Sequence, residues 1–285
     1  MPELPEVETI KRGLNNFCIH QKIKTITISC DKSFIGPKEL VENHEITGLR
    51  RFGKALIIDL SGGISMMIHL RMTGQLIYRS ESASFAGGHP TDSFFSKLPN
   101  KQTRVILAME NGTLYFNDQR KFGFIKVLPT NELEQDKFIA NLAKEPWQIN
   151  PKELYEVLKR RKNSSIKAVI LDQKVIAGIG NIYADEALFY AGIDPRTKAG
   201  KLSLQNVEKL VEGACKVMEA SINSGGSTMA TYVRADGTKG DYLEKFAKVF
   251  RREGKPCEKC GAEIIKIRVA GRGTHICPKC QKELI

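Results

Sequence analysis

The chain has 285 residues, 41% of them hydrophobic and 27% charged, an ordinary composition for a globular protein with room for two or three cores. Lys and Arg number 44 against 32 Asp and Glu, and the resulting net charge of +12 points to a polyanionic partner, nucleic acid ahead of a membrane surface. No run approaches the roughly 18 apolar residues of a spanning helix, and the N-terminus lacks the basic and apolar regions of a secretory signal, so a cytoplasmic protein is expected.

The first stretch, Met1-Pro2-Glu3-Leu4-Pro5-Glu6-Val7-Glu8, admits two readings. One is a helix start, with Pro5 in the first helical position and acidic residues on the favourable side of the helix dipole. The other is chemical. Removal of Met1 leaves Pro2 with a free secondary amine, and an α-amino group with a pKa of about 7.7 to 8.0 is partly unprotonated near neutrality. Its attack on an aldehyde-like carbon gives an iminium, a good electron sink, with Glu3 and Glu6 beside it for proton transfer.

Val7, Ile10, Leu14 and Phe17 continue this helix at helical spacing. Residues 22 to 127 then read mainly as strands separated by turn signals such as Ser61-Gly62-Gly63 and Glu110-Asn111-Gly112, predicting antiparallel pairing in a sandwich or barrel. Within them Lys54 ends the basic run Arg50-Arg51-Phe52-Gly53-Lys54, either solvated or placed for a phosphate or substrate. Met72, in His69-Leu70-Arg71-Met72-Thr73-Gly74, and Arg120 with Phe122 follow strands; they are core residues, or else side chains that wedge into a base stack. Residues 79 to 100, rich in Ser, Gly, Pro and Phe without a period, read as a long surface loop.

From about 131 the pattern is helical: 131 to 143, 151 to 162, 164 to 173, 181 to 191 and 203 to 224. Gly178-Ile179-Gly180-Asn181-Ile182-Tyr183 is not a dinucleotide fingerprint, because Tyr183 stands where the third glycine belongs and no strand precedes it. It reads as a tight turn into a helix capped by Asn181, which with Lys167 either holds a phosphate or is a plain cap beside a solvated lysine. Residues 228 to 243 read as a flexible polar loop.

Of the seven cysteines, Cys18, Cys30 and Cys215 are isolated, and Cys257, Cys260, Cys277 and Cys280 form C-x2-C-x16-C-x2-C. Two close pairs supply four thiolates at tetrahedral corners, so one structural Zn2+ is expected. Between the pairs, Val269-Ala270-Gly271-Arg272-Gly273-Thr274 reads as a hairpin, either a generic turn or one whose glycines let Arg272 approach a phosphate.

Taken together, Pro2-Glu3-Leu4-Pro5-Glu6-Val7-Glu8-Thr9, Ala177 to Glu186, and Val269 to His275 followed by Cys277-Pro278-Lys279-Cys280 resemble the formamidopyrimidine-DNA glycosylase family, which repairs oxidised purines in bacterial DNA. The resemblance spans the chain. It implies an α+β multidomain fold: an N-terminal catalytic β-sandwich with a leading helix (1–131), a helix-two-turns-helix DNA-binding domain (132–227), and a lesion-recognition loop with a C-terminal four-cysteine zinc-finger hairpin (228–285). DNA would lie in the cleft between lobes. It further implies a monomer of the bacterial cytosol or nucleoid that excises 8-oxoguanine and formamidopyrimidines from duplex DNA and cleaves abasic sites by β,δ-elimination. By motif, Pro2 is the nucleophile, Glu3 the proton donor at the sugar, and Lys54 a general acid or phosphate contact. Glu6 and Arg272 complete the catalytic set. The DNA-binding set is His69, Met72, Arg120, Phe122, Lys167, Asn181 and Arg272, with Met72, Arg120 and Phe122 as the wedge. Gln102 and Arg104 stand where relatives often carry histidines near the backbone, and Phe250-Arg251-Arg252 replaces a common Tyr-Gly-Arg. Two alternatives are an enzyme resembling endonuclease VIII, which acts on oxidised pyrimidines and typically has Gly where this chain has Leu4, and a zinc-containing DNA-binding protein without catalysis.

Overall fold

The computed structural model describes residues 1–226 and 246–284, and the polar loop expected at 228 to 243 lies outside them. The described residues form two compact units, Met1–Ala140 with 224–226, and Asn141–Asn223 with 246–284.

The first unit opens with helix α1 (Leu4–Cys18), which buries Leu4, Val7, Ile10, Leu14 and Cys18. Ten strands follow: β1 (Ile23–Ile28), β2 (Phe34–Ile35), β3 (Ile46–Phe52), β4 (Ala55–Leu60), β5 (Ile64–His69), β6 (Gly74–Arg79), β7 (Ser84–Gly88), β8 (Thr103–Met109), β9 (Gly112–Asp118) and β10 (Phe124–Pro129). They make two five-stranded sheets, ordered β1-β8-β9-β6-β7 and β2-β10-β5-β4-β3, antiparallel except for β2 beside β10. One core joins Ile10 and Leu14 of the helix to Leu56, Ile58 and Ile68 of one sheet and Leu76, Leu107 and Phe116 of the other. This is the expected sandwich. Truncating a side chain as enclosed as Leu14, at 0% exposure, costs about 3 kcal/mol.

Two expectations fail here. Residues 79 to 100 are not one surface loop, because within them β7 pairs with β6 and buries Phe85 and Ala86. The Phe85 ring lies so close to Gly13 that a Cβ there would come within 1.9 Å of it, a contact between distant residues that local periodicity does not register. Residues 131 to 143 form a 3-10 turn (Thr130–Gln135) and the short helix α2 (Lys137–Ala140), not one long helix. The Asp136 carboxylate, which accepts the Phe138 N–H, starts a new turn there.

The second unit contains α3 (Pro151–Arg160), α4 (Ile166–Ile170), α5 (Asn181–Ala191) and α6 (Leu204–Asn223), then the hairpin β11 (Ile265–Val269) and β12 (Arg272–Ile276). Asn150 caps α3 and Ser165 caps α4, and α4 stops at Ile170, short of the expected 173. Helix α5 is enclosed along its length from Tyr183 to Phe189 and packs on α6, where Tyr183 Oη meets Ser221 Oγ at 2.5 Å. Gly180, not Asn181, occupies its capping position, and Asn181 is its first helical residue. Among the described residues no helix is long and apolar enough to cross a membrane.

Candidate active site and nucleic-acid interface

In the first unit, Pro2 is buried immediately before α1. Glu3 caps the helix and forms a reciprocal capping box with Glu6, whose Oε2 accepts the Glu3 N–H at 2.8 Å. Pro5 takes the second helical position, one later than the sequence suggested. Both carboxylates are almost fully enclosed, Glu3 at 3% and Glu6 at 1% exposure, where a surface helix start would leave them wet. Burial alone would raise the Glu8 carboxyl, but bonds from Lys11, Arg12 and Arg51 hold it below its ordinary value. Arg51 spans two elements: its Nε donates to Glu8 Oε2 at 3.1 Å and its Nη1 to the Gly53 carbonyl at 3.0 Å. The turn carrying Lys54 is thereby fastened to α1, and Lys54 itself is buried.

His69 ends β5, paired with Ala55 of β4 and Phe124 of β10. Its Nδ1 accepts the Arg71 N–H at 3.0 Å, which leaves the ring proton of the neutral form on Nε2. Burial first, then the charges of Arg71 and Lys54, push its pKa down to about 3.

Met72, Arg120 and Phe122 are all exposed, Phe122 at 55%, so the core reading of these residues fails. The buried Asp118 carboxylate explains why. It accepts the backbone N–H groups of Arg120, Phe122 and Gly123 at 3.1, 2.8 and 2.7 Å, and also the Thr73 hydroxyl. The turn after β5 and the turn after β9 are thus tied together, with the Arg120 guanidinium 4.8 Å from the Phe122 ring centroid. Arg104 is not a surface cation: it is buried, and its Nε donates to the Asp118 carbonyl at 2.8 Å.

In the second unit, Lys167 is not solvated and offers no open face to a phosphate. It is completely enclosed, paired with Asp185 Oδ1 at 2.6 Å and bonded to Thr274 Oγ1 at 2.7 Å. Asn181, by contrast, lies beside the hairpin with its Nδ2 donating to the Gly273 carbonyl at 3.0 Å. The hairpin turns through Ala270 and Gly271, both at positive φ (50° and 73°), the pair that a two-residue type I′ turn requires. Arg272 follows at once and is exposed. A depression of about 460 Å³ lies against Asn181, Gly273, His275, Arg251 and Lys266. Glu186, also buried, accepts the N–H groups of Lys248, Val249 and Phe250 at 2.9, 3.0 and 2.8 Å, and burial still holds its carboxyl above the ordinary value.

The sulfurs of Cys257, Cys260, Cys277 and Cys280 all lie within 4.8 Å of one another. The Ala262 amide draws Cys260 down to about 7, and burial with the neighbouring sulfurs pushes Cys280 up to about 12. Four thiolates this close need a cation, and an all-sulfur tetrahedral set suits Zn2+.

Residues 1–125 match the formamidopyrimidine-DNA glycosylase N-terminal domain, 142–233 that family's H2TH domain, and 254–282 a zinc finger found in FPG and IleRS. The chain is 40% identical to a formamidopyrimidine-DNA glycosylase of Desulfitobacterium hafniense, covering 99% of this chain and 100% of that one. The chain belongs to the formamidopyrimidine-DNA glycosylase family. Solved complexes of Lactococcus lactis Fpg with DNA containing an abasic site, an N7-benzyl-Fapy-dG or an oxidised pyrimidine match it with a TM-score of 0.86 at 31% identity, covering 99% of this chain and 100% of each of those. Its zinc-finger match and its four clustered cysteines give one structural Zn2+, with no open coordination position.

Within this glycosylase-family chain, sequence reasoning missed Arg51, Asp118, Asp185 and Thr274. Each has at least one partner remote in sequence, Glu8 for Arg51, Thr73 for Asp118, and Lys167 for both Asp185 and Thr274, which local patterns do not register. Of the departures from the family pattern, Phe250 stacks edge-on over His275 at 5.0 Å, and Arg251 adopts φ 57°, the left-handed conformation that a glycine takes without strain.

Proposed function

We propose that the chain is a bifunctional DNA glycosylase and lyase that removes oxidised and ring-opened purines from duplex DNA in the bacterial cytosol. The observation that carries this reading is the enclosure of Pro2, Glu3 and Glu6 together at the head of α1. Once Met1 is removed, the Pro2 amine attacks the sugar C1′, the glycosidic bond breaks, and the base leaves. Glu3 protonates the sugar ring oxygen as the ring opens, giving an iminium between Pro2 and C1′. Loss of a C2′ proton then expels the 3′ phosphate, and a second elimination expels the 5′ phosphate. Lys54 and Arg272 serve these eliminations as acids or phosphate contacts, and Glu6 keeps Glu3 in place. Met72, Arg120 and Phe122 fill the space left by the extruded nucleotide, offsetting part of the few kcal/mol that extrusion costs. His69, Asn181 and Arg272 hold phosphates.

Borohydride should trap the protein on DNA containing 8-oxoguanine. Retention of Met1, or an N-terminal tag, makes the Pro2 nitrogen an amide without an available lone pair, so trapping and excision should disappear while binding to an abasic-site analogue persists. An N-terminally blocked protein that still forms the adduct at the normal rate would make a lysine the nucleophile and end this proposal.

A further inference from the structure

Three consecutive residues of β12, directly after Arg272, are each held from the helices of the same unit. The Gly273 carbonyl accepts from Asn181 Nδ2 at 3.0 Å, and Thr274 Oγ1 from Lys167 Nζ at 2.7 Å. The His275 N–H donates to Asp185 Oδ2 at 2.9 Å. Lys167 and Asp185, paired at 2.6 Å and both at 0% exposure, link these holds into one unit in which α4 and α5 grip the strand. Arg272, by contrast, has its side chain exposed. A long exposed arginine on a strand gripped at the next three positions projects from a fixed base, which lowers the ordering cost of a phosphate contact.

We propose that Lys167 and Asp185 are positioning residues for Arg272, and that the Lys167 ammonium acts through the strand without touching phosphate. This rests on the reading of Arg272 as a phosphate holder. The two possible roles of Lys167 predict opposite signs. If Lys167 contacted phosphate, Asp185 would compete for its ammonium, and Asp185→Asn would strengthen DNA binding. If the pair positions Arg272, Asp185→Asn loosens the strand and weakens binding.

The test measures affinity for a duplex with a tetrahydrofuran abasic-site analogue across a range of salt concentrations. It compares the parent protein with Arg272→Ala, Asp185→Asn and Thr274→Val, and with the latter two changes in the Arg272→Ala background. Thr274→Val keeps the ion pair, so it carries the test if Asp185→Asn does not fold; zinc content and Tm report folding. Asp185→Asn should weaken binding about tenfold, the effect of losing one hydrogen bond to a buried charge. Thr274→Val should weaken it by a smaller factor. In the parent background Asp185→Asn should reduce the salt slope by up to about 0.9, as Arg272→Ala does, because one phosphate contact is lost in either case. In the Arg272→Ala background neither change should weaken binding further. Tighter binding by Asp185→Asn, no effect of Thr274→Val, or losses that multiply with that of Arg272→Ala would overturn the positioning role while leaving Arg272 in the interface. An Arg272→Ala protein that binds like the parent would remove Arg272 from the interface and overturn both readings.

Discussion

Thr73 donates its hydroxyl to the buried Asp118 carboxylate, and this bond joins the turn that carries Met72 to the turn that carries Arg120 and Phe122. The same carboxylate accepts three backbone N–H groups of the second turn, so the three exposed side chains share one support. The Thr73 hydroxyl also accepts the Arg120 N–H at 3.1 Å, so Thr73→Val removes two hydrogen bonds and should cost about 2 kcal/mol of stability while leaving the fold intact. Its effect on function should be larger: excision of a lesion that must be extruded should slow, while cleavage of a preformed abasic site, which needs less extrusion, should be nearly unchanged. Equal losses on the two substrates would mean that the linkage serves stability alone.

His69 gives a pH dependence with a definite sign. Its folded pKa of about 3 lies below the ordinary 6.5, so between these values the unfolded chain binds a proton that the folded chain refuses. Stability is therefore fully present above about pH 6.5 and lost as pH falls toward 3, at no more than about 1.4 kcal/mol per pH unit from this group. Denaturant unfolding of the parent and of His69→Gln between pH 7 and pH 4, with one proton fewer taken up by the variant, checks it. Identical slopes would show that His69 is protonated in the folded protein.

The cluster of four cysteines predicts one zinc per chain by elemental analysis. Cys277→Ser should lose metal, destabilise the hairpin and weaken DNA binding, because β12 runs directly from Arg272 to Ile276 and into that cysteine. A Cys277→Ser protein with full affinity would detach the metal from the interface.

The proposed preference for purine lesions rests on Leu4, a core residue of α1, standing where an endonuclease VIII-like enzyme typically has Gly. Excision of 8-oxoguanine opposite cytosine should exceed excision of thymine glycol under single-turnover conditions. The reverse order would move the chain toward the endonuclease VIII-like reading.

What the sequence made legible follows from the range of the interactions involved. The four cysteines were readable because ligand spacing is local, and α1 because Val7, Ile10 and Leu14 repeat at helical spacing along one buried face. Strand β7 was not readable. Its short Ser84-Phe85-Ala86-Gly87-Gly88 run has weak strand propensity and is held by pairing with β6 and by Phe85 against Gly13. The sequence does not show that Lys167 is enclosed, since its partners Asp185 and Thr274 lie 18 and 107 residues further along the chain. A lysine's burial is invisible until the fold supplies its counter-charge.

The two-residue turn at Ala270-Gly271 constrains how this chain can change over time. Side chains alternate along β12, so Arg272, Thr274 and Ile276 share one face and Gly273 and His275 the other. Inserting or deleting a single residue at the turn would slip the pairing by one and exchange the two faces. Thr274 would leave the Lys167 ammonium and Cys277 would leave the sulfur cluster in the same event. Point substitutions at the turn are a matter of modest strain, whereas a change of length there would alter the setting of Arg272 and metal ligation together, so descendants of this sequence should vary in the identity of residues 270 and 271 and not in their number.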